Sequence, residues 1–350
     1  MTALVPIVVG LGPVIVFLAA LVAMDSYRLV RRRDVAMSLA WGALAALLAW
    51  FANGALLARG MPRAEVTGTF APLFEEALKA AWVVVLLATD RVGFLVDAGI
   101  HGFAIGTGFA LVENASYAHA IGSGPVLLWV ARGLGTAVMH GATTAVVAIA
   151  AKALAERHHR PAWLATLAGW APAVVVHALF NRYTGSPLVS TTVLLVTMPL
   201  LLLGVFEWSE RATRRWVGAG LDQDADALEQ MLGDTAHDTP AGRYLAEISH
   251  RFPPAAVADM FCLLRIHLEL SVRAKALLMA RAAGVEIPLD DDELRAQFTE
   301  LKFLERSIGR AGLLALAPLR RKSSRDLWQL LVLQRGSLSA SLPPALRRDQ

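Results

Sequence analysis

Seven long apolar runs fill the first part of the chain and limit what it can fold into. A helix rises about 1.5 Å per residue, so about 20 apolar residues are enough to cross the hydrocarbon core of a bilayer. The runs cover residues 3–24, 36–58, 69–88, 94–118, 133–151, 162–181 and 188–207. Because backbone polar groups in lipid must be satisfied within their own segment, we predict an all-α, polytopic bundle of about seven transmembrane helices.

Charged residues become frequent only after the last apolar run. Over the whole chain 18% of residues are charged and 56% are hydrophobic, whereas soluble domains have about 25% charged residues. We therefore divide the chain into a transmembrane bundle (1–208), an acidic linker (209–240) and a helical cytosolic tail domain (241–350). The tail shows amphipathic helical spacing and no motif for catalysis or phosphate binding, so we expect a regulatory or partner-binding role.

Basic residues predict the orientation of the bundle. The breaks after runs one, three, five and seven hold Arg28, Arg31, Arg32, Arg33, Arg91, Lys152, Arg157, Arg160, Arg211, Arg214 and Arg215, against Arg59, Arg63, Arg132 and Arg182 on the opposite side. The positive-inside rule then places the N-terminus outside and the C-terminus in the cytoplasm of a multi-pass protein of the cell inner (plasma) membrane. Since these residues explain the net charge of +4, we predict contact with the lipid bilayer and no nucleic-acid partner.

Ionisable residues inside the middle runs indicate a site. They are Glu75, Glu76, Lys79, Asp97, His101, Glu113, His140 and His177. A charged side chain at mid-membrane costs about 2.5–3.5 kcal/mol, so such residues usually face the bundle interior. Asp97 and His101 also fit a structural role near a helix end. The other carboxylates and imidazoles lie about 6–12 Å below the outer surface on four helices. We therefore expect one polar pocket in the outer half of the membrane.

Helix geometry predicts which of these side chains meet. Glu75 and Lys79 are four residues apart on one face and are expected to pair, while Glu76 is turned about 100° away from Glu75. Gly102, Gly106 and Gly108 would let a neighbouring helix approach closely.

Four motifs on successive runs resemble, in order, those of the PrsW family of intramembrane proteases. They are Glu75-Glu76-Ala-Leu-Lys79 (EExxK), Phe109-Ala-Leu-Val-Glu113-Asn114 (FxxxE followed by Asn), His140, and His177-Ala-Leu-Phe-Asn181, which has Asn where the family has Asp. The match covers about residues 65–185, and the CAAX-protease and bacteriocin-processing families are more distantly similar. The resemblance implies a glutamic-type or metal-dependent peptidase whose substrate can be an anti-sigma factor, cut on the outer side as in site-1-type proteolysis.

Peptide hydrolysis needs an activated water, a polarised carbonyl and a proton donor for the leaving amine. The expected catalytic residues are Glu75, Glu76, Glu113, His140 and His177, and the expected supporting residues are Lys79, Phe109, Asn114 and Asn181. In our leading hypothesis Glu76 is the general base, and Glu75 is held by Lys79 or shares the proton, although the two glutamates could exchange roles. Both histidines would stabilise the oxyanion or reprotonate the amine, with His177 oriented by Asn181, and Glu113 would complete the water site.

A second version of the site holds a catalytic Zn²⁺. Two histidines with two or three carboxylates suit this metal, and the candidate ligands are Glu76, Glu113, His140 and His177. The chain has no HExxH sequence, so spacing alone does not choose between a metal and a metal-free site.

The function predicted from these observations is an intramembrane endopeptidase. Its partner would be a single-span membrane protein, cut near the outer face by glutamate-activated water. Two alternatives remain at this point. Intramembrane carboxylates and histidines also form the relays of proton- or ion-coupled transporters, and the same groove could serve a non-catalytic scaffold that binds single-span partners. The sequence leaves the oligomeric state open.

Overall fold

The computed structural model describes residues 4–319 except 26, 28, 29, 122–124, 159, 183–186, 235, 286 and 289, together with residues 330 and 333. Every regular element in this part of the chain is helical, so the predicted all-α class is confirmed. The α-helices are α1 (Leu4–Ala23), α2 (Arg32–Ala58), α3 (Arg63–Glu65), α4 (Ala71–Ala88), α5 (Leu95–Ile121), α6 (Val126–Trp129), α7 (Gly135–His158), α8 (Ala162–Arg182), α9 (Pro187–Leu232), α10 (Pro240–Ile248), α11 (Pro254–Ala282) and α12 (Asp291–Ala315).

Several of these helices can cross a membrane. Within the described residues, five are long and apolar enough by length and composition, namely Arg32–Ala58, Leu95–His119, Gly135–His158, Ala162–Arg182 and Thr191–Leu232. The described apolar part of α1, Val8–Ala23, is shorter, and α4 carries Glu75, Glu76 and Lys79 within its 18 residues. The chain is thus a multi-pass membrane protein, while the count of seven spans stays a prediction.

Helices α5 and α7 form the centre of the bundle. In their most apolar stretches 89% and 72% of the residues are buried, compared with 22% for α9. Small residues allow the close packing: a Cβ atom added at Gly106 would lie 2.1 Å from the carbonyl oxygen of His140 on α7, and one at Gly108 would lie 2.0 Å from that of Leu39 on α2. The predicted close approach at the α5 glycines is therefore confirmed, and it fixes the backbone that carries His140.

We predict that Gly106→Ala destabilises the bundle by about 3 kcal/mol, because the added methyl group must push apart two backbones in contact. Unfolding in mixed detergent micelles, followed by circular dichroism, measures this change. Gly54→Ala is the matched control: no atom lies within 4 Å of a Cβ added there, and alanine is the better helix former. Equal stability of the two variants would contradict the packing role of Gly106.

Two π-helical segments precede helices of the bundle. Val66–Phe70 runs directly into α4, and Val130–Leu134 runs directly into α7. π-Helical turns are rare and frequently mark functional sites, because they widen the helix and free backbone groups for other partners. Both segments lie at the end of the bundle where α4 and α7 begin and α2, α5 and α8 end, which we call the site end.

The chain divides into two compact units, Met1–Arg211 and Ala212–Gln350. Residues 209–232, which the sequence assigned to an acidic linker, belong to helix α9, since Ala, Leu, Glu and Gln in this stretch favour helix. In the second unit Lys275, 4% exposed, donates hydrogen bonds to Asp224 and to the carbonyl of Gly220 and lies 5.4 Å from the ring centre of Trp216. This buried lysine joins α9 to α11. The basic residues Arg320, Arg321, Lys322, Arg325, Arg347 and Arg348 near the end of the chain lie outside the described residues.

Candidate active site

The structure brings together all five predicted catalytic residues at the site end. Glu75 and Glu76 lie near the start of α4, Glu113 near the end of α5, His140 near the start of α7 and His177 near the end of α8. The rings of the two histidines meet edge to face, with centroids 4.8 Å apart. Four helices that are separate in sequence thus contribute to one cluster, as the predicted depths required.

Lys79 is the cation at the centre of this cluster. Its buried ammonium group donates to Glu76 Oε1 at 2.6 Å and to His140 Nδ1 at 2.9 Å. The expected pair of Lys79 with Glu75 is therefore not the one observed. Both glutamates are within reach of Lys79 on the helix, at i−3 and i−4, and the position of His140 favours the conformation that binds Glu76.

Glu76 in turn orients His177. Its Oε1 accepts a hydrogen bond from His177 Nδ1 at 2.8 Å, and the carboxylate is almost completely buried. With Nδ1 occupied, His177 presents Nε2 toward Glu75, 3.6 Å from Glu75 Oε2. A carboxylate that fixes one imidazole nitrogen so that the other can act is the usual support of a histidine ligand or catalyst.

His140 is held in one tautomer by its two neighbours. An ammonium group can only donate, so Nδ1 of His140 accepts from Lys79 and its Nε2 carries the hydrogen. That hydrogen is donated to Glu113 Oε2 at 2.6 Å. The hydroxyl of Tyr117 donates to the other oxygen of Glu113 at 2.8 Å. Both oxygens of Glu113 are therefore fixed, and the two imidazoles serve different carboxylates.

Only two of the charged groups are accessible from outside the cluster. The side chains of Glu113 and Glu75 are 25% and 11% exposed, whereas those of Glu76, Lys79 and both histidines are 2% exposed or less. A shallow groove of about 600 Å³ lies between α2 and α5; its lining residues, none of which belongs to the charged cluster, are Trp50, Leu111, Val112, Ala115, Ser116 and His119. A reactant must therefore approach Glu75 and Glu113 rather than Glu76.

The four supporting residues take distinct places. Phe109 packs against His140, with ring centroids 4.6 Å apart, and its ring centroid lies 5.1 Å from Nζ of Lys79. Asn114 donates to the carbonyl of Gly133 and Asn181 to that of Thr67, each at 3.0 Å. Both carbonyls belong to the π-helical segments before α7 and α4. The two amides thus satisfy backbone groups that these segments free.

The hydrogen bond of Asn181 to the carbonyl of Thr67 differs from the contact that the sequence predicted. The sequence predicted that it orients His177, because the two residues share a helix face. Glu76 performs that task instead, since a carboxylate accepts a stronger hydrogen bond from an imidazole than an amide does. Asparagine in the place of the family's aspartate therefore acts on the backbone before α4 and not on the histidine.

Asp97 and His101 lie apart from this cluster. Asp97 Oδ2 accepts hydrogen bonds from the backbone N–H groups of Gly93 and Phe94 at the start of α5. The His101 ring bonds with Ser38 at 2.9 Å, and Ser38 also accepts from Trp82. These contacts support the structural interpretation of both residues.

Sequence reasoning missed two residues of the site. Asn53 on α2 donates to Glu75 Oε1 at 3.1 Å, and Tyr117 binds Glu113. Each had a signal: Asn53 is an amide within an otherwise apolar run, and Tyr117 follows Glu113 by four residues on the same face.

The donor set fits a metal ion in part. Glu75, His140 and His177 each offer a ligand atom, all within 4.8 Å of one another. The 3.6 Å between His177 Nε2 and Glu75 Oε2 is near the ~3.4 Å edge of a tetrahedron with zinc bonds of about 2.0–2.1 Å. Both nitrogens of His140 are engaged, so this residue can become a ligand only when Lys79 or Glu113 releases it. Among the described residues, the buried Glu76 Oε2 has no hydrogen-bond partner.

We predict that Lys79→Met lowers the free energy of unfolding by about 3–5 kcal/mol, because the buried Glu76 carboxylate loses its countercharge. Adding Glu76→Gln should recover most of this loss, which a double-mutant cycle in detergent measures. Lys302→Met, at an exposed position on α12, controls for the loss of a charge. Equal losses in the single and double variants would show that Lys79 does not act through Glu76.

A helical membrane bundle that gathers carboxylates, imidazoles and one buried lysine at one end holds the acid–base groups that an intramembrane hydrolase requires. A family model described as PrsW family intramembrane metalloprotease matches residues 31–205. The chain belongs to that family and is a peptidase, as its motifs predicted. Comparison with curated proteins gave no match, and neither did comparison with solved structures.

Proposed function

We propose that this protein is an endopeptidase that cleaves single-span membrane proteins near the outer face of the cell inner (plasma) membrane. The observation that carries the proposal is the hydrogen-bonded cluster around Lys79, in which Glu75 and Glu113 alone are accessible among the charged groups. A transporter needs polar groups along a path, whereas the contacts of Asp97 and His101 are with helix ends and neighbouring side chains.

The topology belongs to this proposal. Seven spans with the N-terminus outside and the tail in the cytoplasm would place the site end in the outer half of the membrane. The distribution of arginine residues between the two sets of breaks supports this orientation. Cleavage would then take place where a substrate segment leaves the hydrocarbon core.

Glu113 is the best-supported general base. It is the most accessible carboxylate of the cluster, whereas Glu76 is buried and bound to Lys79 and His177. Glu113 would take a proton from the attacking water as the oxygen bonds to the scissile carbonyl carbon. The same carboxyl group would pass this proton to the leaving nitrogen as the C–N bond breaks, which restores the carboxylate.

The remaining residues of the cluster would orient one another and stabilise the tetrahedral intermediate. His140 Nε2–H lies beside Glu113 and would donate to the oxygen that becomes negative in the tetrahedral intermediate. Lys79 keeps His140 in the tautomer that can donate and neutralises Glu76. Glu76 keeps His177 Nε2 directed at Glu75. In this assignment Glu76 positions another residue and no longer serves as the base of our leading hypothesis.

A divalent metal such as Zn²⁺ is part of the proposal, because the family is described as metalloproteases. Glu75 and His177 would hold the ion, with His140 as a third ligand once it is released by Lys79. Bound there, the ion would polarise the scissile carbonyl and acidify its water. Glu113 would remain the proton acceptor.

Substrates would be membrane proteins with an apolar segment that can lie against α2 and α5. The groove between α2 and α5 offers apolar walls at Trp50, Leu111 and Val112, with Ser116 and His119 farther along α5. An anti-sigma factor with one transmembrane segment is one protein of this kind, and the experiment below identifies substrates without choosing them in advance.

We predict that Glu113→Gln and Glu75→Gln each reduce cleavage at least about 100-fold, since Glu113 would be the positioned proton acceptor and Glu75 a ligand of the proposed metal. The measurement quantifies new N-termini of membrane proteins in whole cells that express wild type or variant at equal levels. A small set of termini should disappear in both variants.

Glu156→Gln is the matched control for this comparison. Glu156 lies on α7 like His140 but at the opposite end, where it pairs with Lys152 at 3.2 Å. Cells that express this variant should show the same new N-termini of membrane proteins as cells that express wild type. If no terminus depends on Glu75 or Glu113 under several envelope stresses, a scaffold function gains support over proteolysis.

A further inference from the structure

Asn53 gives helix α2 a direct contact with the active site. Its Nδ2 donates to Glu75 Oε1 at 3.1 Å, across from α2 to α4. Of the two oxygens of Glu75, the bond occupies Oε1 and leaves Oε2, which lies 3.6 Å from His177 Nε2. The amide thereby fixes which oxygen of the carboxylate faces the histidine.

The amide is poorly explained by packing alone. Asn53 Oδ1 is buried and has no hydrogen-bond partner among the described residues, and an unpaired buried acceptor destabilises a protein. A leucine has the same number of side-chain heavy atoms and would carry no unpaired polar atom. Helices α2 and α4 are also joined elsewhere, by the bond from Trp41 Nε1 to the carbonyl of Leu78 at 3.0 Å.

We propose that Asn53 is a positioning residue that holds Glu75 Oε2 toward His177 Nε2 and so raises the affinity of this pair for a divalent metal. The inference rests on the proposed metal-dependent peptidase function and assigns α2 a part in it. Groups that hydrogen-bond to a metal ligand restrict its rotation, and their removal typically weakens metal binding about 10–100-fold. Without the donor, the carboxylate of Glu75 can turn away from His177.

The test measures metal binding and not only activity. The full-length protein in detergent is stripped of metal with a chelator and titrated with Co²⁺, whose visible absorption reports coordination by imidazole and carboxylate. Zn²⁺ competition then gives the relative affinity for zinc. Asn53→Leu should keep the fold, because it removes the unpaired acceptor, and should bind Co²⁺ and Zn²⁺ about 10–100-fold more weakly than wild type. Asn53→Gln, which retains an amide donor, should recover part of the affinity.

Trp41→Phe is the matched control. It removes one hydrogen bond between the same two helices, but the lost bond goes to the backbone of Leu78 and not to a site carboxylate. Phenylalanine can still stack on Trp82. It should lower thermal stability at most and leave metal affinity unchanged. If Asn53 served only to join α2 to α4, the two variants would behave alike.

Unchanged metal affinity in Asn53→Leu overturns the inference, and so does an equal loss of affinity in Trp41→Phe. A wild-type protein that cleaves substrates but binds neither Co²⁺ nor Zn²⁺ also overturns it, while proteolysis stands. If metal binds and depends on Asn53 although no cleavage is found, the inference holds and the proposed proteolysis fails.

Discussion

The arrangement of the site depends on one buried ammonium group. Lys79 binds a carboxylate on its own helix and an imidazole on α7, and that carboxylate in turn binds His177 on α8. A carboxylate and two imidazoles, which would otherwise demand water, are thereby held together where their side chains are at most 2% exposed. The Lys79 contact thus selects Glu76 as the buried glutamate, and it sets the tautomer of His140 through a single donated hydrogen bond.

Sequence reasoning predicted which residues meet but not how they pair. The depth of each ionisable residue within its apolar run was enough to bring five side chains to one level, because helix rise is nearly constant. Sequence reasoning could not predict whether Lys79 pairs with Glu75 or Glu76, since both lie within reach on the helix. The side chains of α7 and α8 determine which pair forms. For the same reason the partner of His177 was misjudged: Asn181 is near in sequence, whereas Glu76 is 101 residues away.

The fold shows a similar division. Apolar runs predicted the helices of the bundle closely, because lipid selects for composition over a fixed length. They did not predict the end of α9 at Leu232, since hydropathy reports solubility in lipid and a helix continues wherever its backbone bonds can form. The π-helical segments before α4 and α7 were also unforeseen. Their freed carbonyls are satisfied by Asn114 and Asn181 from other helices, a condition that local sequence does not contain.

The limited access to the site has a consequence for the conformation of the substrate in the proposed reaction. A peptide bond within an intact α-helix is shielded by its own side chains, and its carbonyl oxygen is bonded to the N–H four residues on. Glu113 and Glu75 lie at the rim of a buried cluster, so under the proposed function about one turn of a helical substrate would have to unwind before they could reach such a bond. In helical segments with glycine or proline near the membrane surface, unwinding this turn costs the least free energy. Under the proposed function, the choice of substrate would be governed less by the side chains beside the cut than by how readily the segment unwinds.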